Sequence, residues 1–378
     1  MNLMKTGLDN PGAVGVLETP ALVVDLVRLE RNIGRMARLA ESAGVSLRPH
    51  IKSHKTPWIA RLQFAAGASG LTVAKLGEAE AMFAEGFGDI FIAYEIVGED
   101  KIRRLLSLSS KARVGCAVDN LEAARELDFA AGRQGRSLEV LIEVDTGLGR
   151  CGVPPGSETV RLYRAVAALP NLKLRGIFTH AGHAYAARTP AGVEEVARHE
   201  GRSMAETAEL LRRDGLRPEV VSVGSTPTVP HSALVPGVTE IRPGNYVFND
   251  AIQIGLGVAA EDDCALRVLA TVISRPAPDR AVIDAGSKSL GLDRGAHGVS
   301  LVPGFGRVVG HPDLIVERLS EEHGILRLPG GYPLPLGTRV EIIPNHACPV
   351  ANLFDRMVAI RGGEVERVLE IKARGMVT

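Results

Sequence analysis

At 378 residues the chain exceeds one ordinary domain and fits a single barrel of roughly 250 residues plus a smaller partner. Its apolar share of 45% and charged share of 23% are ordinary for a globular protein, and zero formal charge with 4% aromatics leaves no electrostatic or base-stacking case for nucleic acid or an anionic membrane. Met1–Gly15 lacks the apolar core of a signal peptide, no window approaches about 18 consecutive apolar residues, and Cys116, Cys151, Cys264 and Cys348 are too scattered for a disulfide framework, so a reduced, cytoplasmic setting is expected.

From Thr19 to about Gly255 short apolar runs alternate with amphipathic stretches. Ala21–Val24 reads as a strand and Leu29–Ala43 as a helix. Gly44–Arg48 enters a lysine-bearing segment, and Pro57–Ala66 is the next helix. Ser69–Val73 is a strand and Gly77–Glu85 a helix. Asp89–Ala93, Ala112–Val118, Leu138–Val144, Leu174–Phe178, Val220–Val223 and Glu240–Arg242 continue the strand series. About eight strand–helix units favour a (β/α)8 TIM-like barrel over an open doubly wound sheet. After Leu266 the texture changes. Val268–Ser274, Ala281–Asp284, Gly324–Leu328, Thr338–Ile343, Arg356–Arg361 and Val365–Ile371 are short strand candidates punctuated by Gly and Pro. The expected division is a barrel over residues 19–255 and an antiparallel β domain formed by 1–18 and 256–378.

Reactive residues of a barrel belong at the C-terminal ends of its strands, and polar clusters follow several strand runs here. Arg48-Pro49-His50-Ile51-Lys52-Ser53-His54-Lys55 follows the first barrel strand. It sets a lysine among cationic neighbours, which lower an amine's pKa and free it to attack a carbonyl. Asp145–Arg150, Thr179–Tyr185, Gly224–Thr228 and Arg242–Tyr246 follow later strands. Gly224-Ser225-Thr226 suits a phosphate, because glycine admits close approach and hydroxyls and N–H groups donate to oxygen; Gly244-Asn245-Tyr246 offers the same from the neighbouring strand. His346-Ala347-Cys348 offers two soft ligands to one metal ion and leaves open positions for water or substrate. Its thiolate favours zinc.

These runs, with Thr19-Pro20-Ala21, Glu322-His323-Gly324 and Pro344-Asn345-His346-Ala347-Cys348, resemble the fold-type III pyridoxal-phosphate enzymes, and more narrowly the D-serine dehydratase, 3-hydroxy-D-aspartate dehydratase and D-threonine aldolase group. The likeness runs along nearly the whole chain. It implies an alanine-racemase-like barrel with a β domain, a homodimer with active sites near the subunit interface, and Lys52 as the lysine that carries pyridoxal 5'-phosphate. It also implies Arg150, in an Asp-Thr-Gly-x-x-Arg run, on the phenolate side of the cofactor and Arg242 as partner of its pyridine nitrogen. The divalent metal at His346 and Cys348 is expected to be zinc before manganese or magnesium. It would act on the substrate's 3-hydroxyl.

The chain departs from the racemases after Lys52, where Ser53-His54-Lys55-Thr56-Pro57 replaces their Ala-Asn-Ala-Tyr-Gly type of run. They also have no metal pair, which disfavours simple racemisation. The expected reaction is dehydration of a 3-hydroxy D-amino acid (D-serine or threo-3-hydroxy-D-aspartate) to a 2-oxo acid and ammonia. The alternative is aldol cleavage to glycine and an aldehyde, for which His180 or His183 would be the general base. Tyr185, in the same loop, is either near the cofactor or a packed aromatic. Cys348 and the Gly-Ser-Thr-Pro-Thr run resemble the dehydratases; the aldolases carry aspartate as second metal ligand and a glycine-richer phosphate run.

Overall fold

The computed structural model describes residues 14–296, 300–330 and 332–378. By its contacts the chain divides into two units. One gathers Gly34–Lys52, Ile59–Gly244 and Gly375–Thr378, the other the residues up to Ile33, Ser53–Trp58 and Asn245–Arg374.

In the first unit, strands Ser46–Leu47, Leu71–Val73, Asp89–Glu95, Arg113–Val118, Leu138–Glu143, Leu172–Phe178, Val220–Val223 and Glu240–Ile241 form an 8-stranded parallel sheet. A parallel bridge between His50 and Thr72 joins its two edges and closes the barrel. The intervening helices follow from local signals. Asn120 caps Leu121–Arg133 by accepting from Ala123 N at 2.8 Å, and Thr189 caps Pro190–Arg213, whose first position is proline. Phe91, Ala117, Leu141 and Phe178 fill the interior from successive strands, the two phenyl rings meeting edge-on at 5.0 Å. Their burial contributes roughly 1.5–3 kcal/mol per large side chain.

The second unit is built on a 9-stranded sheet. Its order runs Arg280–Ile283, Gly324–Arg327, Ile315–Leu319, Arg307–Val308, Arg339–Ile343, Leu266–Ala277, Ala21–Asp25, Arg356–Arg361 and Glu364–Glu370. Its pairings are antiparallel except that of Val23–Asp25 with Val358–Ile360. Leu17, Val23, Leu269, Val358, Ile360 and Val365 form one of its core clusters.

Three readings of the sequence are corrected here. Ala21–Asp25 is a strand of this sheet and not of the barrel, because its alternate residues bury against Leu269 and Val358. Residues 245–255, expected in the barrel, cluster with the second unit, and Gly375–Thr378 with the first, where Gly77 N donates to Thr378 O at 2.8 Å. Strands Arg307–Val308 and Ile315–Leu319 lie where none was expected. Of the segment 1–18, residues 1–13 lie outside the described residues. Among the described residues no helix is long and apolar enough to cross a membrane, and no disulfide joins the cysteines.

Candidate active site

The barrel unit holds a cavity of about 370 Å³ at the C-terminal ends of its strands. Lys52, Arg150, His180, Gly224 and Arg242 line it together, with His50, Glu95, Glu143 and Phe178. Two hydrogen bonds explain why motifs far apart in the chain meet there. Arg48 N donates to Ile241 O and His50 N to Pro243 O, each at 2.9 Å, so the lysine run and the Arg-Pro-Gly run lie side by side.

Lys52 sits in the short 3-10 turn Ile51–Ser53, and its N–H donates to His50 Nδ1 at 3.3 Å. Burial first, then the charges of Lys52, His180, Arg242 and Arg150, hold the His50 imidazole well below its ordinary pKa. The neutral ring accepting at Nδ1 carries its proton on Nε2.

Arg150 arrives on a loop stapled by Asp145, whose Oδ1 accepts from the N–H groups of Gly147, Leu148 and Gly149 at 2.8 to 3.1 Å. Its Nη2 lies 3.5 Å from Glu143 Oε1. Glu143, 4% exposed, is pushed up to about 8 by burial first and then by its hydrogen bond to Glu95, against the pull of Arg150 and Arg242. Folded Glu143 is therefore protonated at neutral pH, whereas unfolded it ionises near about 4.3. Between those values only the folded chain holds the proton. The stability this contributes is complete below about pH 4.3 and drains away as pH rises to about 8. Glu143→Gln stays neutral, so its Tm should fall less steeply than that of wild type between about pH 5 and 8. Parallel curves for the two proteins would show that no proton is shared there.

Gly224 has φ of +120° and a Cβ there would meet Val229 at 2.8 Å, so glycine suits that turn. The loop departs from the sequence reading in one respect. Gly224 N–H donates to the wholly buried Glu200 carboxyl at 2.8 Å, and Ser225 N–H to Thr228 Oγ1 at 3.1 Å. These amides brace the turn, and burial raises the Glu200 pKa. Ser225 and Thr226 are buried in the loop and, like Gly244, are not lining residues of the cavity.

The barrel's remaining candidates divide. His180 lines the cavity, with Nδ1 3.4 Å from Gly224 O. His183 and Tyr185, on the turn Gly182–Ala186, are not lining residues. Burial lowers the His183 pKa against the pull of Asp145, and its buried Nδ1 has no hydrogen-bond partner among the described residues.

In the second unit, His346 and Cys348 sit at the start of helix Ala347–Leu353. His346 Nδ1 pairs with Asp293 Oδ2 at 2.7 Å, which leaves Nε2 for a metal. Cys348 Sγ lies 3.2 Å from Ser53 Oγ. Burial disfavours the imidazolium, but Cys348 and Asp293 outweigh it and raise His346 to about 10. An imidazole and a thiol that share protons in this way form the donor set that a thiophilic divalent ion takes over by displacing those protons. Asp250, wholly buried, accepts from Ala347 N at 2.9 Å and from Asn245 Nδ2, and so anchors the turn. Asn245 and Tyr246, expected at the cofactor phosphate, are buried residues of this unit.

Sequence reasoning missed His50, Glu95 and Glu143. The readable sign for both glutamates is a carboxylate ending an apolar strand run, Ile90–Tyr94 before Glu95 and Val140–Ile142 before Glu143. Glu95, Asp119 and Cys151 also bring ligand atoms within 4.8 Å of one another. Asp119 already accepts from Gly152 N and Asn120 Nδ2, and Glu95 is bonded to Glu143.

The cavity fits an anionic aromatic cofactor. Lysine and two guanidinium groups offer the compensating charge, and the volume lies in the range of small-ligand sites. Comparison with known proteins agrees. The profile of the alanine racemase N-terminal domain family matches residues 24–251, and that of a putative serine dehydratase domain matches residues 265–360. The D-threo-3-hydroxyaspartate dehydratase of Delftia sp. (strain HT23) is 39% identical over 91% of this chain and 94% of its own. The D-threonine aldolase of an Arthrobacter species is 36% identical over 95% and 93%. A cysteine-to-alanine mutant of D-threo-3-hydroxyaspartate dehydratase, solved in the metal-free form, superposes with a TM-score of 0.88 at 37% identity, covering 95% of this chain and 98% of that one.

Proposed function

The chain belongs to the alanine-racemase-like family of D-serine dehydratases, 3-hydroxy-D-aspartate dehydratases and D-threonine aldolases, and on that premise we propose that it dehydrates a 3-hydroxy D-amino acid to a 2-oxo acid and ammonia. It is an enzyme, a lyase, and its family works with pyridoxal phosphate. The observation that carries the reading is the convergence of Lys52, Arg150 and Arg242 on one cavity in a chain that also holds His346, Cys348 and Asp293 as a supported donor set.

Pyridoxal phosphate, when bound, supplies an electron sink for charge developing at the substrate's Cα. Lys52 Nζ would hold it and, once displaced by the substrate amine, take the Cα proton. Arg150 and Arg242 would orient its ring. The Gly224-Ser225-Thr226 turn would bind its phosphate, aided by Gly244. His346 and Cys348 would bind a divalent ion, zinc before manganese or magnesium, which would polarise the 3-hydroxyl as it leaves. The relative's metal-free form supports a metal in this family. We also infer a homodimer in the cytoplasm.

Identity alone does not separate the two reactions, since a dehydratase at 39% and an aldolase at 36% are near neighbours. Cys348 as second metal ligand favours dehydration. Aldol cleavage would need a base over the hydroxyl, for which His180 lines the cavity and His183 and Tyr185 lie on the turn that follows it. The deciding experiment incubates zinc-loaded protein with D-serine, D-threonine and D-threo-3-hydroxyaspartate and identifies the products. A 2-oxo acid with ammonia is the expected outcome. Glycine with an aldehyde would overturn the dehydratase reading.

A further inference from the structure

The barrel interior beneath the cavity holds a line of polar contacts that the proposed mechanism leaves unused. Glu240 and Arg242 are two residues apart, so they face the same side of their strand and its exit. Ser222 is the registered partner of Glu240 on the adjacent strand. One terminal nitrogen of Arg242 donates to Ser222 Oγ and the other to the Thr179 carbonyl. Ser222 Oγ accepts from the guanidinium, so its single hydrogen goes elsewhere, to Glu240 Oε1 at 2.7 Å. Glu240 Oε2 in turn accepts from Arg48 Nε at 2.8 Å, and Arg48 Nη1 lies 2.5 Å from Asp89 Oδ1. Every hydrogen bond in the line has a defined direction.

The surroundings are built to keep it. Ser222, Glu240 and Arg242 are all buried. A Cβ at Gly70 would stand 2.0 Å from Arg48 Nη1, so the residue without one makes room for that side chain. The Phe178 ring lies 5.0 Å under the Arg242 guanidinium and closes another side. Burial opposes the charge of Arg242, and Glu240 is first among the anions that sustain it. A buried guanidinium with a missing partner is costly, which ties its placement to this line. Its donors form a rigid planar fork and present a defined direction to a bound acceptor only if that plane is held.

We propose that Ser222 and Glu240 are positioning residues for Arg242, holding its guanidinium through one hydroxyl so that its remaining donors face the cofactor cavity in one orientation. The inference rests on the reading of that cavity as the pyridoxal-phosphate site. Both residues act through Arg242 and neither is a lining residue of the cavity.

Ser222→Ala deletes the middle of the line with the loss of one oxygen, Glu240→Gln keeps the shape and removes the charge, and Ser222→Thr keeps the hydroxyl. Apo-proteins would be titrated with pyridoxal phosphate, the visible band of the bound cofactor recorded across pH, and thermal unfolding followed alongside. Ser222→Ala and Glu240→Gln are expected to bind the cofactor about 10-fold more weakly and to shift the band or its pH midpoint. Ser222→Thr should restore both, and the double variant should be no worse than the worse single, since both break one line. Lowered Tm with unchanged affinity and band would mean a merely structural role and overturn the inference. If wild-type protein takes up no pyridoxal phosphate, the cofactor reading falls first and carries the inference with it.

Discussion

Lys52→Ala is expected to lose covalent attachment of pyridoxal phosphate and to lower lyase turnover by about 10³–10⁴-fold or more, because the attaching amine and the proton acceptor disappear together. Borohydride reduction of the loaded wild type, followed by peptide mapping, should label the peptide at Lys52. The neighbouring lysine is the natural control. Lys55 donates to Asn352 Oδ1 at 2.8 Å and adopts a left-handed backbone with φ of 52°, whereas Lys52 lines the cavity beside His50. Lys55→Gln should therefore keep the label and most of the turnover. A label on Lys55, or wild-type turnover in Lys52→Ala, would reverse the assignment.

Removing the metal should also lower turnover strongly while leaving the cofactor in place. Lewis-acid stabilisation of a departing hydroxide is worth several kcal/mol, which corresponds to about 10²–10⁴-fold in rate. His346→Ala and Cys348→Ala, like chelated wild type, are expected to fall by that amount on a 3-hydroxy substrate and to retain the visible band of bound pyridoxal phosphate. Added zinc should restore the chelated wild type and neither variant. Asp293→Ala should weaken metal affinity by about 10–100-fold, since it removes only the carboxylate that orients His346. Full turnover in the chelated protein would remove the metal from the reaction.

Much of this site was legible because its signals are local. The Asp145–Arg150 loop and the His-x-Cys pair each follow a strand whose period is visible over a few residues, and the Lys52 run stands out by its own residue pattern. Chemistry packed into such a loop does not depend on distant partners for recognition. The β-rich half announced itself in the same way through Gly and Pro spacing. Less legible was which strand belongs to which sheet. Ala21–Asp25 reads as a barrel strand because it precedes an amphipathic helix, yet its hydrogen bonds go to Leu266–Leu269 and Val358–Ile360. Ser46–Leu47 and Glu240–Ile241 are too short to show a period, and only their pairing across the closed sheet defines them.

By itself, then, the sequence determined the barrel-plus-β architecture and singled out Lys52 and the His346–Cys348 pair as candidates, all properties of short segments with their own periodicity or spacing. Tertiary structure alone decided what surrounds them: the burial that raises the Glu143 pKa beside Glu95, the Glu200 brace behind Gly224, and the line from Arg242 through Ser222 to Glu240 and Arg48. Arg48 and Glu240 stand 192 positions apart along the chain. Groups that distant meet only when a sheet closes, and burial then makes each charge depend on its partner.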